Sequence, residues 1–147
     1  MRRRAELCGE LAGALGELRG ELTSRLTPLP ELLRNAAGRR EGPVSDLFRN
    51  AARALDELGT RPFPELWRIA VAETGELLLD RESRNAVEEI GRWLGACGAQ
   101  EQAKALENVE GRLRSLAEEE RERSRREGRV CTAVGLAAGA CAAVLLL

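Results

Sequence analysis

From Leu7 onward the leucines stand at Leu7, Leu11, Leu15, Leu18, Leu22 and Leu26, in steps of four and three. A helix of about 3.6 residues per turn keeps such positions on one face, whereas a strand would send them to both sides. The same step returns in almost every later segment, which leaves little room for anything but helices. The residue mix agrees with this: Leu, Ala, Glu and Arg are good helix formers, and only 3% of the residues are aromatic. The expectation is an all-α fold, a compact bundle of about six helices. Gly9, Gly13, Gly16 and Gly20 lie within the first stripe, each costing about 1 kcal/mol relative to Ala. That helix therefore depends on tertiary packing, and its small residues permit close approach by a neighbour.

Later boundaries follow from caps and breakers. In "TPLPELL", Thr27 reads as an N-cap and Pro28 as the first position of a second helix, with Leu29 following. This helix should run to Ala37 and stop at Gly38. A third places Val44, Leu47, Phe48, Ala51, Leu55 and Leu58 on one face and ends at Gly59. After Pro62 and Pro64 a fourth turns Leu66, Trp67, Ala70 and Val71 inward. Asp80 caps a fifth, whose apolar face is Val87, Ile90, Trp93 and Leu94. A turn at Gly95 to Gly98 leads to the last helix, which starts near Ala99 and carries Ala103, Leu106, Val109, Leu113 and Leu116. Its apolar stripe ends at Ala117 although helix formers continue to Glu127. A charged helix without an apolar face is expected to project from the domain.

The chain closes on Val130 to Leu147, eighteen residues without a charge. As a helix they span ~27 Å, against a hydrocarbon core of ~30 Å. A small domain has no spare apolar surface to surround such a segment, so it reads as a transmembrane helix. Arg121, Arg123, Arg125, Arg126 and Arg129 precede it and no positive charge follows it, which places the domain in the cytoplasm. Gly135 and Gly139 form a GxxxG pair that would let another helix pack closely, although Ala and Gly richness alone would also produce one. The division is thus a helical domain over 1–117, a charged juxtamembrane helix over 118–129 and a membrane helix over 130–147. At the other end three arginines follow Met1, but Glu6, Glu10 and Glu17 interrupt any apolar run, so no secretory signal is read there.

Little in the chain points to chemistry. There is no histidine, and the four cysteines, Cys8, Cys97, Cys131 and Cys141, form no CxxC pair. With two of them in the apolar tail, a zinc set or a disulfide framework is not expected, and small buried or lipid-facing side chains are the simpler reading. No phosphate-binding loop occurs, and the carboxylates of "EEERE" read as a solvated face with ion pairs along the helix. No enzyme activity, catalytic residue or cofactor is expected. A formal net charge of -1 gives no bulk attraction to nucleic acid. Trp67 and Trp93 read as core residues, together with Phe48 and Leu94. The exposed stretch from Glu118 to Arg129, with Glu118, Glu119, Arg123 and Arg126, is the candidate for partner contact.

The order of motifs is more specific than any one of them. Thr27-Pro28-Leu29 is followed by Leu47-Phe48 after Pro43, then by Glu65 with Trp67. Leu94-Gly95, Gln102 and the closing Gly135 to Gly139 come after. Over essentially its whole length the chain resembles the stage III sporulation protein AB family of endospore-forming bacteria. That resemblance implies a structural part in the channel complex linking mother cell and forespore, on the mother-cell side of the outer forespore membrane. The family's soluble domain is similar to the helical domain of the type II secretion and type IV pilus inner-membrane platform protein. By that likeness the partners are other proteins of the complex, among them a separate secretion-type ATPase, with self-association left open. Two departures stand out. Family members usually open with a transmembrane helix, and Arg2, Arg3 and Arg4 would suit the cytoplasmic edge of one lying upstream. The family also tends to have Asp where Gly98 stands, a position that caps the last helix and that Gly can also fill. The competing reading is a tail-anchored helical scaffold or coiled coil with no secretion role. An extended rod would favour it, and a folded bundle would not.

Overall fold

The computed structural model describes residues 2–57, 60–77, 79–95 and 98–146, with side-chain surroundings for those of them within 3–127. Among the described residues there are six helices and no strand. They are α1 (Arg2–Ser24), α2 (Leu29–Gly38), α3 (Pro43–Glu57), α4 (Phe63–Glu73), α5 (Arg81–Trp93) and α6 (Ala99–Leu146). Leu58 and Gly59, the expected end of the third helix, lie outside the described residues, as does Cys97.

The most extensive interface joins the two ends of the chain, α1 against α6. Their direction follows from which residues meet. Gly9 lies against Arg121, Gly16 against Glu110, and Arg19 reaches Glu107. Numbers rise along one helix as they fall along the other, so the pair is antiparallel. Between these two, α2, α3, α4 and α5 pack each on the next, and α5 closes the circuit onto α6. The leucine stripe is the spine of the core: Leu7, Leu11, Leu15, Leu18 and Leu22 are all buried. Phe48, Leu66, Trp67, Ile90, Leu94, Leu106 and Leu113 meet it from the other helices. The fold is thus a bundle rather than a rod.

Four expectations need correcting. Leu26 does not continue the stripe, because α1 ends at Ser24 and Leu26 takes a left-handed φ of 52° that turns its side chain into solvent. Thr27 is not the cap of α2. Pro28 occupies that position with an extended backbone, its carbonyl accepting from Leu32 N–H at 2.9 Å, and Leu29 is the first helical residue. Pro30, not Pro28, is the proline inside the first turn. Trp93 is not in the core but 39% exposed. The reason lies two residues earlier, at Gly91, where α5 meets Trp67: a step of two turns about 200° around a helix, so residue 93 faces away.

The fourth concerns the charged stretch. α6 runs without a break through 118–129, and its contact with α1 does not stop at Ala117, since Glu120 is 7% exposed. Glu120 falls three residues after Ala117, on the same face, and the N-terminal turns of α1 lie along it. The stretch is therefore partly packed, with Glu118, Glu119, Arg123 and Arg126 on the exposed side.

Asp80 caps α5 as its position before a helical pattern implies, its Oδ1 accepting from Ser83 N–H at 3.0 Å. The Ser83 hydroxyl, and then that N–H, hold the carboxyl below its ordinary value, with Arg4 adding to the effect. Asp80→Ala should cost about 1 kcal/mol at neutral pH. Because the folded pKa lies below the unfolded value of ~3.9, the benefit is complete above that pH and is lost as pH falls through the folded pKa. Thermal melts of both proteins from pH 7 to pH 2 should converge at the acid end. A gap that stays constant would contradict the assignment.

Candidate functional site

The seam between α1 and α6 carries charge where the heptad-like spacing calls for apolar residues. Glu110 follows Leu106 by four and precedes Leu113 by three, so it lies on the inward stripe, and it is 6% exposed. Burying a carboxylate is costly unless cations attend it. Two do: Arg19 Nη2 lies 3.1 Å from Oε2 and Arg114 Nη2 lies 2.7 Å from Oε1. Gly16 of α1 makes the room, since a Cβ there would stand 3.3 Å from Glu110 Oε1. On the next face of α1, buried Glu21 pairs with Arg39 and accepts from Asn35 Nδ2 at 3.3 Å, while Glu17 pairs with Arg40 at 3.1 Å. These bridges fix α1 to α6 on one side and to the end of α2 on the other. None of the three buried glutamates, Glu21, Glu110 and Glu120, was singled out from the sequence. Their signal was available in their register with the stripes of Leu18, Leu106 and Ala117.

Nothing in this arrangement activates a nucleophile. The Cys8 thiol is buried, and burial pushes its pKa up; the nearby charges of Asp80 and Glu120 push the same way, against a hydrogen bond with Ser83. Sγ and Ser83 Oγ lie 3.4 Å apart with no base between or beside them. A thiol held protonated in this way is inert at neutral pH. Among the described residues no three Cys, Asp or Glu side chains gather as a metal site. Two open grooves follow the α1–α6 seam, of about 530 Å³ beside Arg19 and Lys104 and about 500 Å³ beside Glu6 and Arg121. Both are open to solvent and edged by charges of both signs. That suits contact with a macromolecule better than enclosure of a small ligand.

The residues expected to matter fall into three places. Phe48, Trp67 and Leu94 are buried, and Trp67 Nε1 donates to Val87 O at 2.8 Å. Pro28 and Leu29 open α2, with Leu29 partly buried against the core. Glu118, Glu119, Arg123 and Arg126 are exposed on α6, where Arg121 pairs with Glu118 at 3.7 Å and Arg123 with Glu120 at 3.8 Å. The structure does not bring this last group near Pro28 or Leu29, which belong to the opposite end of the α1–α6 pair. Among the described residues no helix is long and apolar enough to cross a membrane. The expected span over 130–147, with Gly135, Gly139, Cys131 and Cys141, lies outside the residues described to the level of side chains.

Comparison with known proteins gives two findings. The family described as stage III sporulation protein AB matches this chain over residues 1–147. A solved structure of a stage III sporulation protein AB has the same fold, with a TM-score of 0.72 at 21% identity. The similarity covers 84% of this chain and 95% of that one. None of the curated proteins is significantly similar to the chain.

Proposed function

Since the chain belongs to the stage III sporulation protein AB family, we propose that it is a membrane-anchored structural component of a sporulation channel complex. In this reading its helical domain faces the mother-cell cytoplasm and engages a separate secretion-type ATPase. The protein itself binds no nucleotide and catalyses nothing. The observation that carries the reading is α6. It leaves the core at Leu106 and Leu113, passes the charged stretch, and continues as one helix into the uncharged segment up to Leu146. A helix without a break couples whatever pulls on the domain to whatever holds its far end. Embedding 130–147 in a bilayer would give that apolar segment the surroundings that a small charged domain lacks, with Gly135 and Gly139 available to a partner helix.

Two measurements test this. In membranes from cells making the full chain, alkaline carbonate should leave it in the pellet, whereas a chain ending at residue 129 should move to the supernatant. Release of the full chain would remove the anchor from the reading. The detergent-solubilised full chain should also co-elute with the purified secretion-type ATPase in size-exclusion chromatography. Separate elution at tens of micromolar would leave a tail-anchored scaffold as the better description.

A further inference from the structure

Two large apolar side chains are left in solvent among the described residues: Leu26, 71% exposed, and Trp93, 39% exposed. They are far apart in sequence, yet the fold brings them to one end. Leu26 lies in the connection from α1 to α2, and Trp93 closes α5. Leu29, the first residue of α2, has its Cδ2 3.4 Å from where a Cβ on Gly95 would stand. That contact ties the two connections together. α6 begins beside them at Ala99, so residues 130–146 start about 46 Å further along the same helix.

Both side chains have an exposed arginine next to them in sequence, Arg25 and Arg92. Neither guanidinium is engaged by a hydrogen bond or ion pair with a described residue. The carboxylates that follow these connections, Glu31 and Glu101, sit in the first turns of α2 and α6, where they offset the positive helix ends. Leu26 is held in a left-handed conformation that a glycine would adopt without strain, and its side chain gains no burial in return. The leucine thus serves neither the turn nor the core of the isolated domain.

We propose that this end is the docking surface for the ATPase of the reading above, with Leu26 and Trp93 filling an apolar recess bordered by carboxylates. The inference rests on that reading for its partner and names where contact is made. Trp and Arg are the residues most often found at the energetic centre of protein contacts. A second copy of this chain is a poor occupant, because Arg25 and Arg92 would meet their own kind. Lipid is a poor one as well: with 130–147 in the bilayer, this end stands several Debye lengths of ~8 Å from the surface.

The test uses the full chain in lipid nanodiscs, titrated with the purified secretion-type ATPase. Three forms are compared: the wild type, a Leu26→Gly/Trp93→Ser double variant, and a Glu118→Ala/Arg126→Ala double variant. Leu26→Gly removes the side chain and relieves the backbone, so an unchanged or higher Tm separates lost binding from lost folding. The expected result is binding at least tenfold weaker for the first variant and unchanged for the second. An Arg25→Glu/Arg92→Glu variant should also bind at least tenfold more weakly. Equal binding by wild type and the Leu26/Trp93 variant overturns this inference and leaves the ATPase reading standing. No binding by the wild type overturns both. If the nanodisc-bound wild type self-associates and the Leu26/Trp93 variant does not, the occupant is a second copy and the inference fails.

Discussion

Trp67→Ala should lower the folding free energy by about 3–5 kcal/mol, the range for truncating a large buried aromatic. Trp67 is completely buried at the crossing of α4 with α5, and its Nε1–H reaches Val87 O at 2.8 Å. Phe48 lies 5.8 Å away between ring centroids at an angle of 51°, and Phe63 lies 6.1 Å away at 38°. Aromatic pairs of this kind add ~0.5–1.5 kcal/mol beyond their burial. Set against a total stability of ~5–15 kcal/mol for a domain, the loss would be a large share of the whole. Urea unfolding followed by far-ultraviolet circular dichroism is the suitable measurement, since the substitution leaves Trp93 as the sole remaining tryptophan. A loss below about 1 kcal/mol would mean that α4 and α5 are not packed through this side chain.

Gly91→Ala should also destabilise, by about 1–3 kcal/mol, the range for overfilling a packed core. The sign is what makes this informative. In an exposed helix interior the same change stabilises by about 1 kcal/mol. Here the new Cβ would stand 2.6 Å from Trp67 Cδ1 and 2.8 Å from both its Cβ and Cγ. Two of those atoms lie at the root of the side chain, so no rotation of the indole clears them without moving α4. A double-mutant cycle isolates the contact. In a Trp67→Ala background, Gly91→Ala should become neutral or stabilising, with a coupling of at least ~1 kcal/mol. Additive effects would show that the two residues do not meet.

These two residues also mark how far the sequence can be read. Trp67 stands on a clear helical face with Leu66, Ala70 and Val71, and its burial could be inferred from spacing alone. Gly91 could not, because a glycine within "EEIGRW" carries no pattern of its own. Its role depends on a tryptophan 24 positions earlier. The position of Trp93 followed from that same contact, although by spacing it belonged with Ile90 and Leu94. Likewise Leu26 fits the leucine step, but the step says nothing about where a helix stops. Among the candidate contacts, Glu118, Glu119, Arg123 and Arg126 were legible as exposed charges. Glu120, in the same run, needed α1 beside it to be recognised as buried.

What the sequence determined by itself was everything set within a few residues: the helical class, most helix boundaries, the Asp80 cap and the apolar stripe of each helix. Periodicity and capping are local, since a backbone turn is completed by neighbours three and four positions away. What only the tertiary structure decided was which stripe meets which, and therefore which residues remain outside. The antiparallel seam of α1 and α6 joins the two ends of the chain, and it is there that Gly16 admits Glu110 and Arg19 neutralises it. At the other extreme, Leu26 and Trp93 were left in solvent because every surface that could have covered them was already packed elsewhere. Burial is a property of pairs of surfaces, and no single stretch of chain contains both members of a pair.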